Sequence, residues 1–189
     1  SDYQVWFNKQ VTCVNGPFSP IEKPRVSDAL DYECELAFVI GQRCRHVKAE
    51  DASSVIAGYM IANDVSVRDW QLHSATWTIG KSFDTHGPIG PALVTPDEIE
   101  DPHNLDIRLY VNDEMRQDSN TSDMIYSCFD MIEYLSTVFT LEPGDIFATG
   151  TPEGVGTGFD PPKFLKVGDT VRCEIEGLGA IENEVIPEQ

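Results

Sequence analysis

Residues 31–40 constrain the fold most strongly, because two kinds of side chain alternate along them with a period of two. One set is apolar or aromatic: Tyr32, Cys34, Leu36, Phe38 and Ile40. The set between them is Glu33, Glu35, Ala37 and Val39. This alternation predicts a β-strand with one apolar face. Both carboxylates then project from the other face, roughly 7 Å apart along the strand.

The two glutamates allow two interpretations. Like charges at that distance repel in a partly buried setting, so a cation between them is the sharper explanation. A divalent cation bound by oxygen ligands fits this description. The alternative is that the second face is simply in contact with water, where acidic residues are ordinary. The two residues alone leave both interpretations open.

The charge balance excludes several classes of partner. The 189 residues contain 13 basic and 32 acidic side chains, for a formal net charge of −19. Such an excess argues against binding to nucleic acid or to an anionic membrane surface. At 41% hydrophobic the chain can bury a core, and its length suits one domain over residues 1–189. No apolar run approaches the ~20 residues of a membrane span.

The cysteines are scattered and odd in number. The five positions are Cys13, Cys34, Cys44, Cys128 and Cys173, with no Cys-x-x-Cys pair. This usage predicts reduced thiols in a cytoplasmic protein, in place of disulfides or a zinc site.

The remaining pattern is dominated by predicted strands. They cover residues 59–61, 105–111, 146–149, 167–175 and 179–185, with a hairpin turn at Asn112-Asp113. A helix is predicted over residues 122–139, capped by Thr121 or Ser122, and a short one over 49–57. Residues 5–14 look extended, whereas residues 15–24 and 80–91 look like loops. Regular βαβ alternation is absent, so we expect an α+β, mainly β domain.

Asp64 and Lys81, which follow the predicted strand of residues 59–61, could join the two glutamates. Asp64 sits at the exit of the segment around residues 59–61, and a third carboxylate there would suit Mg²⁺ or Mn²⁺, with Ca²⁺ possible. Asn63 and Asp64 could equally form a turn or a helix cap. Lys81 could neutralise the carboxylates or hold a substrate carboxylate, although a surface position is the ordinary role of a lysine.

Other candidate residues carry weaker signals. Arg68 and Gln71 would share a face with Asp64 on a helical turn, and Arg68 could grip a carboxylate or pair with a neighbouring acid. The glycine-rich residues 149–156 could bring backbone N–H groups to an anionic oxygen, or could form an ordinary turn. The histidines show no metal-ligand spacing and are expected in loops or at the surface: His46, His73, His86 and His103.

Taken together, these segments resemble the fumarylacetoacetate hydrolase family. The resemblance rests on Glu33-Cys-Glu35 and on residues 58–71, 80–85, 111–117, 141–145 and 149–156, in that order. It implies a mixed β-sandwich roll, a homodimer, and one Mg²⁺ or Mn²⁺ per subunit.

The resemblance also assigns expected roles by matching positions. Glu33, Glu35 and Asp64 match the metal ligands, and Thr85 matches a position that supports them without binding the metal. Lys81 and Thr151 match catalytic and substrate-contacting positions, and Arg68 and Gln71 match substrate-contacting positions. Similar proteins carry a further N-terminal lid, ahead of the equivalent of residues 5–9, with a His and a Glu that position water. We expect this lid segment to be missing from the present sequence.

The resemblance implies metal-dependent cleavage of a C–C bond in a β-diketo acid of the acylpyruvate type, with release of pyruvate. A lid that was truly missing would put hydrolysis in doubt. Decarboxylation of oxaloacetate, which needs no attacking water, is the first alternative, together with isomerisation or hydration of unsaturated 2-oxo diacids. A catalytically silent, metal-binding dimer is the alternative from another class.

Overall fold

The computed structural model describes residues 3–189, in which strands predominate. Ser1 and Asp2, the first residues of the expected domain, lie outside that range. The strands are β1 (Val14–Asn15), β2 (Ile21–Lys23), β3 (Leu30–Asp31), β4 (Cys34–Ile40), β5 (Ile56–Asn63), β6 (Ser66–Val67), β7 (Gly87–Val94), β8 (Asp106–Val111), β9 (Glu114–Asn120), β10 (Ile146–Ala148), β11 (Thr170–Ile175) and β12 (Gly179–Pro187). The α-helices are α1 (Arg68–Gln71) and α2 (Cys128–Val138). The fold is α+β and mainly β, as predicted.

The strands form two five-stranded sheets and one two-stranded sheet. The first sheet has the order β1-β7-β5-β4-β10 and the second β2-β12-β11-β8-β9, while β3 pairs with β6. The pairs β1·β7 and β2·β12 are parallel and the others antiparallel, so both large sheets are mixed. Inner-face residues of both sheets, such as Leu36 and Cys173, belong to one hydrophobic core. No helix within residues 3–189 is long and apolar enough to cross a membrane.

Strand β4 is buried on both faces, which corrects the expectation of a single apolar face. Cys34, Leu36 and Phe38 pack into the main core. Ala37 and Val39, on the other side, pack into a second cluster with neighbours from β5 and β7. Because β4 lies between β5 and β10 in its sheet, neither of its edges is free. Glu35, the one carboxylate of β4, is accordingly buried.

The long predicted helix is shorter than the sequence pattern suggested. Residues Thr121–Asp123 form a 3-10 turn, and α2 begins only after Ser127. The Ser127 hydroxyl accepts from the Asp130 N–H, and the Asp130 carboxylate accepts from the Ser127 N–H. This reciprocal capping box satisfies N–H groups at the helix start and fixes the boundary there. The apolar stripe that begins at Met124 starts in the segment ahead of this cap.

Other local predictions failed where tertiary pairing outweighed composition. The Pro- and Gly-rich segment 15–24 contains β2, and the predicted loop 80–91 contains the start of β7. Proline weakens a strand prediction because it removes a ladder donor, yet β7 pairs on both sides. The expected extended segment contains a 3-10 helix at Val11–Cys13, and the short helix is a 3-10 helix at Ala49–Val55. Short 3-10 helices also lie at Pro96–Glu98 and Gly156–Gly158.

Candidate metal centre

Three buried carboxylates come together at one end of β4 and β5. The antiparallel register pairs Cys34 with Asn63, so Glu33 lies beside Asp64, and the Asp64 N–H donates to the Glu33 carbonyl at 2.9 Å. Each of Glu33, Glu35 and Asp64 offers an oxygen, and these oxygens lie within 4.8 Å of one another. The three side chains are buried, with exposed fractions of 9%, 3% and 3%. The interpretation of a water-exposed second face is therefore wrong.

Two lysines hold the carboxylates together. Lys81, 2% exposed, places its Nζ at 2.7 Å from Glu33 Oε2 and at 2.7 Å from Asp64 Oδ2. Lys9 binds the other oxygen, Asp64 Oδ1, at 2.7 Å. Lys9 also donates to the carbonyl of Lys81, and the Phe7 ring lies 5.0 Å from Lys81 Nζ. The surface role considered for Lys81 is thus excluded.

Arg68 links the triad to another buried acid. Its Nη1 lies 2.6 Å from Glu33 Oε1, and its Nε donates to Asp31 Oδ2 at 2.8 Å. Arg68 Nη1 also donates to Gln71 Oε1 at 3.1 Å. Helix α1 begins at Arg68, so Arg68 and Gln71 are neighbours as predicted, but Asp64 precedes β6 and is not on that helix. Arg68 Nη2 is buried without a hydrogen-bond partner among residues 3–189.

The three carboxyl groups have different electrostatic surroundings. Burial, with the charges of Asp64 and Glu33, raises the pKa of Glu35 well above its usual range. Burial and Asp64 also raise the pKa of Glu33. Burial alone would raise the pKa of Asp64, but Lys9 and Lys81 outweigh it and lower that pKa. Glu35 is therefore the member of the triad that most disfavours its charged form.

The positive charges remain fixed. Burial opposes the charged form of Lys81, but Asp64 and Glu33 outweigh burial and raise the Lys81 pKa. The same balance, with Glu33 and Asp31 as the anions, raises the pKa of Arg68. Lys81 thus favours its ammonium form in the metal-free site.

The loop of residues 149–157 is anchored by β4 and by Asp31 of β3. The Gly150 N–H donates to Glu35 Oε2 at 2.8 Å, and the Thr151 hydroxyl donates to the Cys34 carbonyl at 2.9 Å. Further along, the Asp31 carboxylate accepts from the N–H groups of Gly156 and Thr157, at 2.7 and 2.9 Å. The expected approach of a loop N–H to an anionic oxygen does occur, but that oxygen belongs to the protein.

A pair of loop glycines provides a stability prediction. Gly154 has φ +103°, and a Cβ there would lie 1.9 Å from the Arg116 carbonyl oxygen. Gly150 has φ +93° but nothing within 4 Å of a Cβ. We expect Gly150→Ala to cost about 1–2 kcal/mol for its backbone conformation, and Gly154→Ala to cost about 1–3 kcal/mol more through the clash. Urea unfolding of the two variants measures the difference, and equal losses would contradict it.

The other predicted site residues have mixed placements. Thr151 lies in the anchored loop, next to Cys34 of β4. Thr85, at φ +68°, accepts from the Glu22 N–H at 2.9 Å, and within residues 3–189 it makes no hydrogen bond to the three carboxylates. His86 lies in the loop before β7, one of the two placements expected for the histidines, but it is fully buried there and not at the surface. Its Nε2 lies 2.8 Å from the Glu22 carbonyl oxygen. Burial lowers the His86 pKa to about 4.

Sequence reasoning gave no site role to Lys9, Asp31 or Gln117. Lys9 contacts a residue 55 positions away and Gln117 contacts residues up to 83 positions away, so local periodicity carries no signal for them. The available signal was that Gln117 closes the motif of residues 111–117 and that Asp31 opens the alternating segment.

The triad fits a hard divalent cation. Carboxylate oxygens are the ligands that Mg²⁺ and Mn²⁺ prefer. Lys81, Lys9 and Arg68 neutralise Glu33 and Asp64, but Glu35 pairs with a backbone N–H only. Its Oε1 accepts no hydrogen bond from residues 3–189 and thus stays available as a ligand. Three carboxylates therefore converge, and one of them, Glu35, has no lysine or arginine partner among residues 3–189. This arrangement suits a bound divalent cation.

Comparison with known proteins agrees with the family resemblance found in the sequence. The model of the fumarylacetoacetate hydrolase C-terminal domain matches residues 1–186. The mitochondrial oxaloacetate tautomerase fahd2 of Xenopus laevis is 52% identical over 184 residues, which cover 96% of this chain and 58% of that protein. The chain therefore spans less than two thirds of this relative.

Two solved structures share the fold. The 2-hydroxyhepta-2,4-diene-1,7-dioate isomerase of Mycobacterium marinum is 42% identical, with a TM-score of 0.87 over 95% of this chain and 68% of that one. The maleylpyruvate hydrolase of Sphingobium sp. SYK-6, solved with manganese(II) and pyruvate, is 38% identical, with a TM-score of 0.87 over 99% and 66% of the two chains.

One expectation is overturned by these comparisons. The cysteine usage predicted a cytoplasmic protein, whereas the similar oxaloacetate tautomerase is mitochondrial. Reduced thiols are compatible with more than one compartment, and all five cysteines of this chain are free. The cytoplasmic prediction is therefore wrong.

Proposed function

Because the chain belongs to the fumarylacetoacetate hydrolase family, we propose that it is a divalent-metal-dependent enzyme that interconverts the enol and keto forms of oxaloacetate or a similar 2-oxo diacid. The observation that carries this proposal is the buried triad of Glu33, Glu35 and Asp64 next to a fixed ammonium group. The similarity to an oxaloacetate tautomerase favours tautomerisation over C–C hydrolysis. Mg²⁺ is the proposed metal, with Mn²⁺ as its substitute.

The bound cation would supply Lewis acidity toward a 2-oxo acid. The residues around it supply fixed charge and orientation. Lys81 keeps its proton and so stabilises negative charge that develops on the substrate. The buried, unpartnered Nη2 of Arg68 is a donor available for a substrate carboxylate. Gln71 orients that guanidinium group through its contact with Nη1.

The proton balance of tautomerisation limits the role of Lys81. The enol loses the proton of its hydroxyl group, and the neighbouring carbon gains one. Nearby anions raise the pKa of Lys81 in the metal-free site, so the side chain holds its proton there. An ammonium group has no lone pair with which to accept another proton. Lys81 therefore acts as an electrostatic group, and water or another group accepts the hydroxyl proton.

Hydrolysis of a β-diketo acid remains the second candidate, supported by the similarity to a maleylpyruvate hydrolase. The same triad and Lys81 could serve it, because both reactions develop negative charge on a 2-oxo acid. Hydrolysis also needs an activated water.

The homodimer implied by the resemblance is also part of the proposal. Light scattering, which measures the mass of the protein in solution, tests it.

The experiment compares substrates on the native-length protein. Loss of the enol of oxaloacetate is followed by ultraviolet absorbance, with Mg²⁺, Mn²⁺ or EDTA. Pyruvate release from oxaloacetate and from maleylpyruvate is followed with lactate dehydrogenase. We expect accelerated enol loss that EDTA abolishes, without stoichiometric pyruvate.

The other outcomes contradict tautomerisation in distinct ways. Pyruvate from maleylpyruvate alone would establish C–C hydrolysis, and pyruvate from oxaloacetate would establish decarboxylation. Metal binding without any turnover would favour a silent metal-binding protein.

A further inference from the structure

Gln117 connects three parts of the site through one buried carboxamide. It lies on β9 and is 1% exposed. Its Oε1 accepts from the Cys34 N–H at 3.1 Å, and Cys34 is the residue between the two glutamates of the triad. Its Nε2 donates to the Thr151 hydroxyl and to the Pro152 carbonyl, each at 2.8 Å, and to the Glu153 carbonyl at 3.4 Å. One side chain thus joins β4 to the loop of Thr151.

These neighbours determine the orientation of the Gln117 amide. The Cys34 N–H can only donate, so it needs the amide oxygen. The Pro152 carbonyl can only accept, so it needs the amide nitrogen. A flipped amide would leave both contacts without a partner in a buried setting, which is costly.

The same logic determines the hydrogen bonds of Thr151. The Thr151 hydroxyl accepts from Gln117 Nε2, so its one proton is directed to the Cys34 carbonyl at 2.9 Å. The hydroxyl therefore has no proton left for a ligand. The Gly150 N–H is also committed, to Glu35. The Thr151 N–H, by contrast, donates to no protein acceptor within residues 3–189 and remains available to an anionic ligand.

We infer that Gln117 is a positioning residue, which fixes the hydrogen bonding of Thr151 so that this residue meets an anionic ligand through its backbone N–H and not through its hydroxyl. The inference deepens the proposed function, because it concerns the same site and a 2-oxo acid ligand. Gln117 itself touches no ligand in this arrangement. It acts by holding residues 151–153 against β4.

The first test measures binding and does not depend on turnover. The probe is oxalate, a planar dianion that resembles the 2-oxo acid group, titrated by calorimetry into the native-length protein loaded with Mn²⁺. Gln117→Met keeps the length of the side chain but removes all four hydrogen bonds. We expect it to weaken oxalate binding by about 10–100-fold, with little change in Mn²⁺ affinity. Gln117→Glu, which keeps the acceptor for Cys34 and loses both donors, gives the same direction if the methionine variant fails to fold.

A matched control separates positioning from general stability. Asn183 is another fully buried amide, and it donates to the Gly16 and Ser19 carbonyls at 3.2 and 2.8 Å. Asn183→Leu should lower the melting temperature without weakening oxalate binding. If Gln117→Met lowers only the melting temperature, as Asn183→Leu does, the inference is wrong.

A double-mutant cycle tests the path through Thr151. Thr151→Val removes both contacts of the Thr151 hydroxyl, and one of them, the contact with Gln117, is also removed by Gln117→Met. The two losses of oxalate affinity should therefore combine to less than their sum in the double variant. Thr151→Ser, which keeps both contacts, should retain at least tenfold more oxalate affinity than Thr151→Val. With turnover, the loss in Gln117→Met should appear in KM more than in kcat. Additive losses of oxalate affinity in the double variant, or equal losses for Thr151→Ser and Thr151→Val, would overturn the inference. If the binding results are as expected but the protein has no tautomerase activity, only the proposed function is refuted.

Discussion

Replacing Glu35 with glutamine will abolish divalent-metal binding while leaving the metal-free protein at least as stable as the wild type. Glutamine keeps the shape and an oxygen for the Gly150 N–H, but it removes the anionic ligand. Since even residues that support metal ligands contribute 10–100-fold in affinity, we expect a loss of more than about 100-fold. Calorimetric titration with Mg²⁺ and Mn²⁺ measures it.

The stability difference between Glu35→Gln and the wild type should depend on pH. Burial raises the folded-state pKa of Glu35 well above its ordinary value of 4.5. A raised carboxyl pKa adds stability at low pH, and that stability is lost as the pH rises through the folded pKa. The glutamine variant lacks this loss, so its stability relative to the wild type should increase as the pH rises above 4.5. Metal affinity of the wild type should increase over the same range, because Glu35 must lose its proton to bind the cation.

The control is Glu184→Gln, at an exposed position of β12. This substitution should change neither the metal affinity nor the pH dependence of the free energy of unfolding. Unchanged metal binding in Glu35→Gln would refute the assignment of the triad as the metal site.

Replacing Lys81 with methionine should produce the largest loss of stability. Methionine fills much of the same volume but leaves Glu33 and Asp64 without the ammonium group that lies 2.7 Å from each. Removing one partner of a buried ion pair costs about 3–5 kcal/mol, since the remaining charge is left uncompensated. Urea unfolding in EDTA measures this cost. Added Mg²⁺ should recover part of it, because binding to the folded state alone is stabilising.

Lys48→Met provides the matched comparison. Lys48 forms an ion pair with Glu133 at 2.8 Å, but its side chain is 69% exposed. Exposed pairs contribute little, so this variant should unfold at the same urea concentration as the wild type. Equal behaviour of the two lysine variants would show that the ammonium group of Lys81 does not stabilise the buried carboxylates.

Much of the fold could be predicted from sequence where the signal was local. The alternation in residues 31–40 gave β4, and the Asn112-Asp113 turn gave the β8–β9 hairpin with Asn112 at φ +55°. The start of α2 was misplaced because an apolar stripe at helical spacing runs past the Ser127 cap. The sequence did not predict the burial of both faces of β4, because short side chains such as Ala37 give only a weak signal for a second apolar cluster.

The sequence by itself determined the chemistry of the site. Two glutamates on one strand and an aspartate at the exit of another are oxygen ligands for a hard cation, whatever the order of the sheets. The motifs in order along the chain identified the family. These features are properties of residue type and short spacing, which the chain carries before it folds.

Only the tertiary structure decided which charges meet and which donors remain. The register of β4 against β5 set Asp64 beside Glu33, and folding brought Lys9 to Asp64 and Gln117 to Cys34. It also brought Gly150 to Glu35, which committed a loop N–H that the sequence left open for a ligand. Such contacts join residues many positions apart and depend on burial, which turns weak interactions in water into strong ones. No local pattern encodes them, because their partners are chosen by sheet order and not by spacing along the chain.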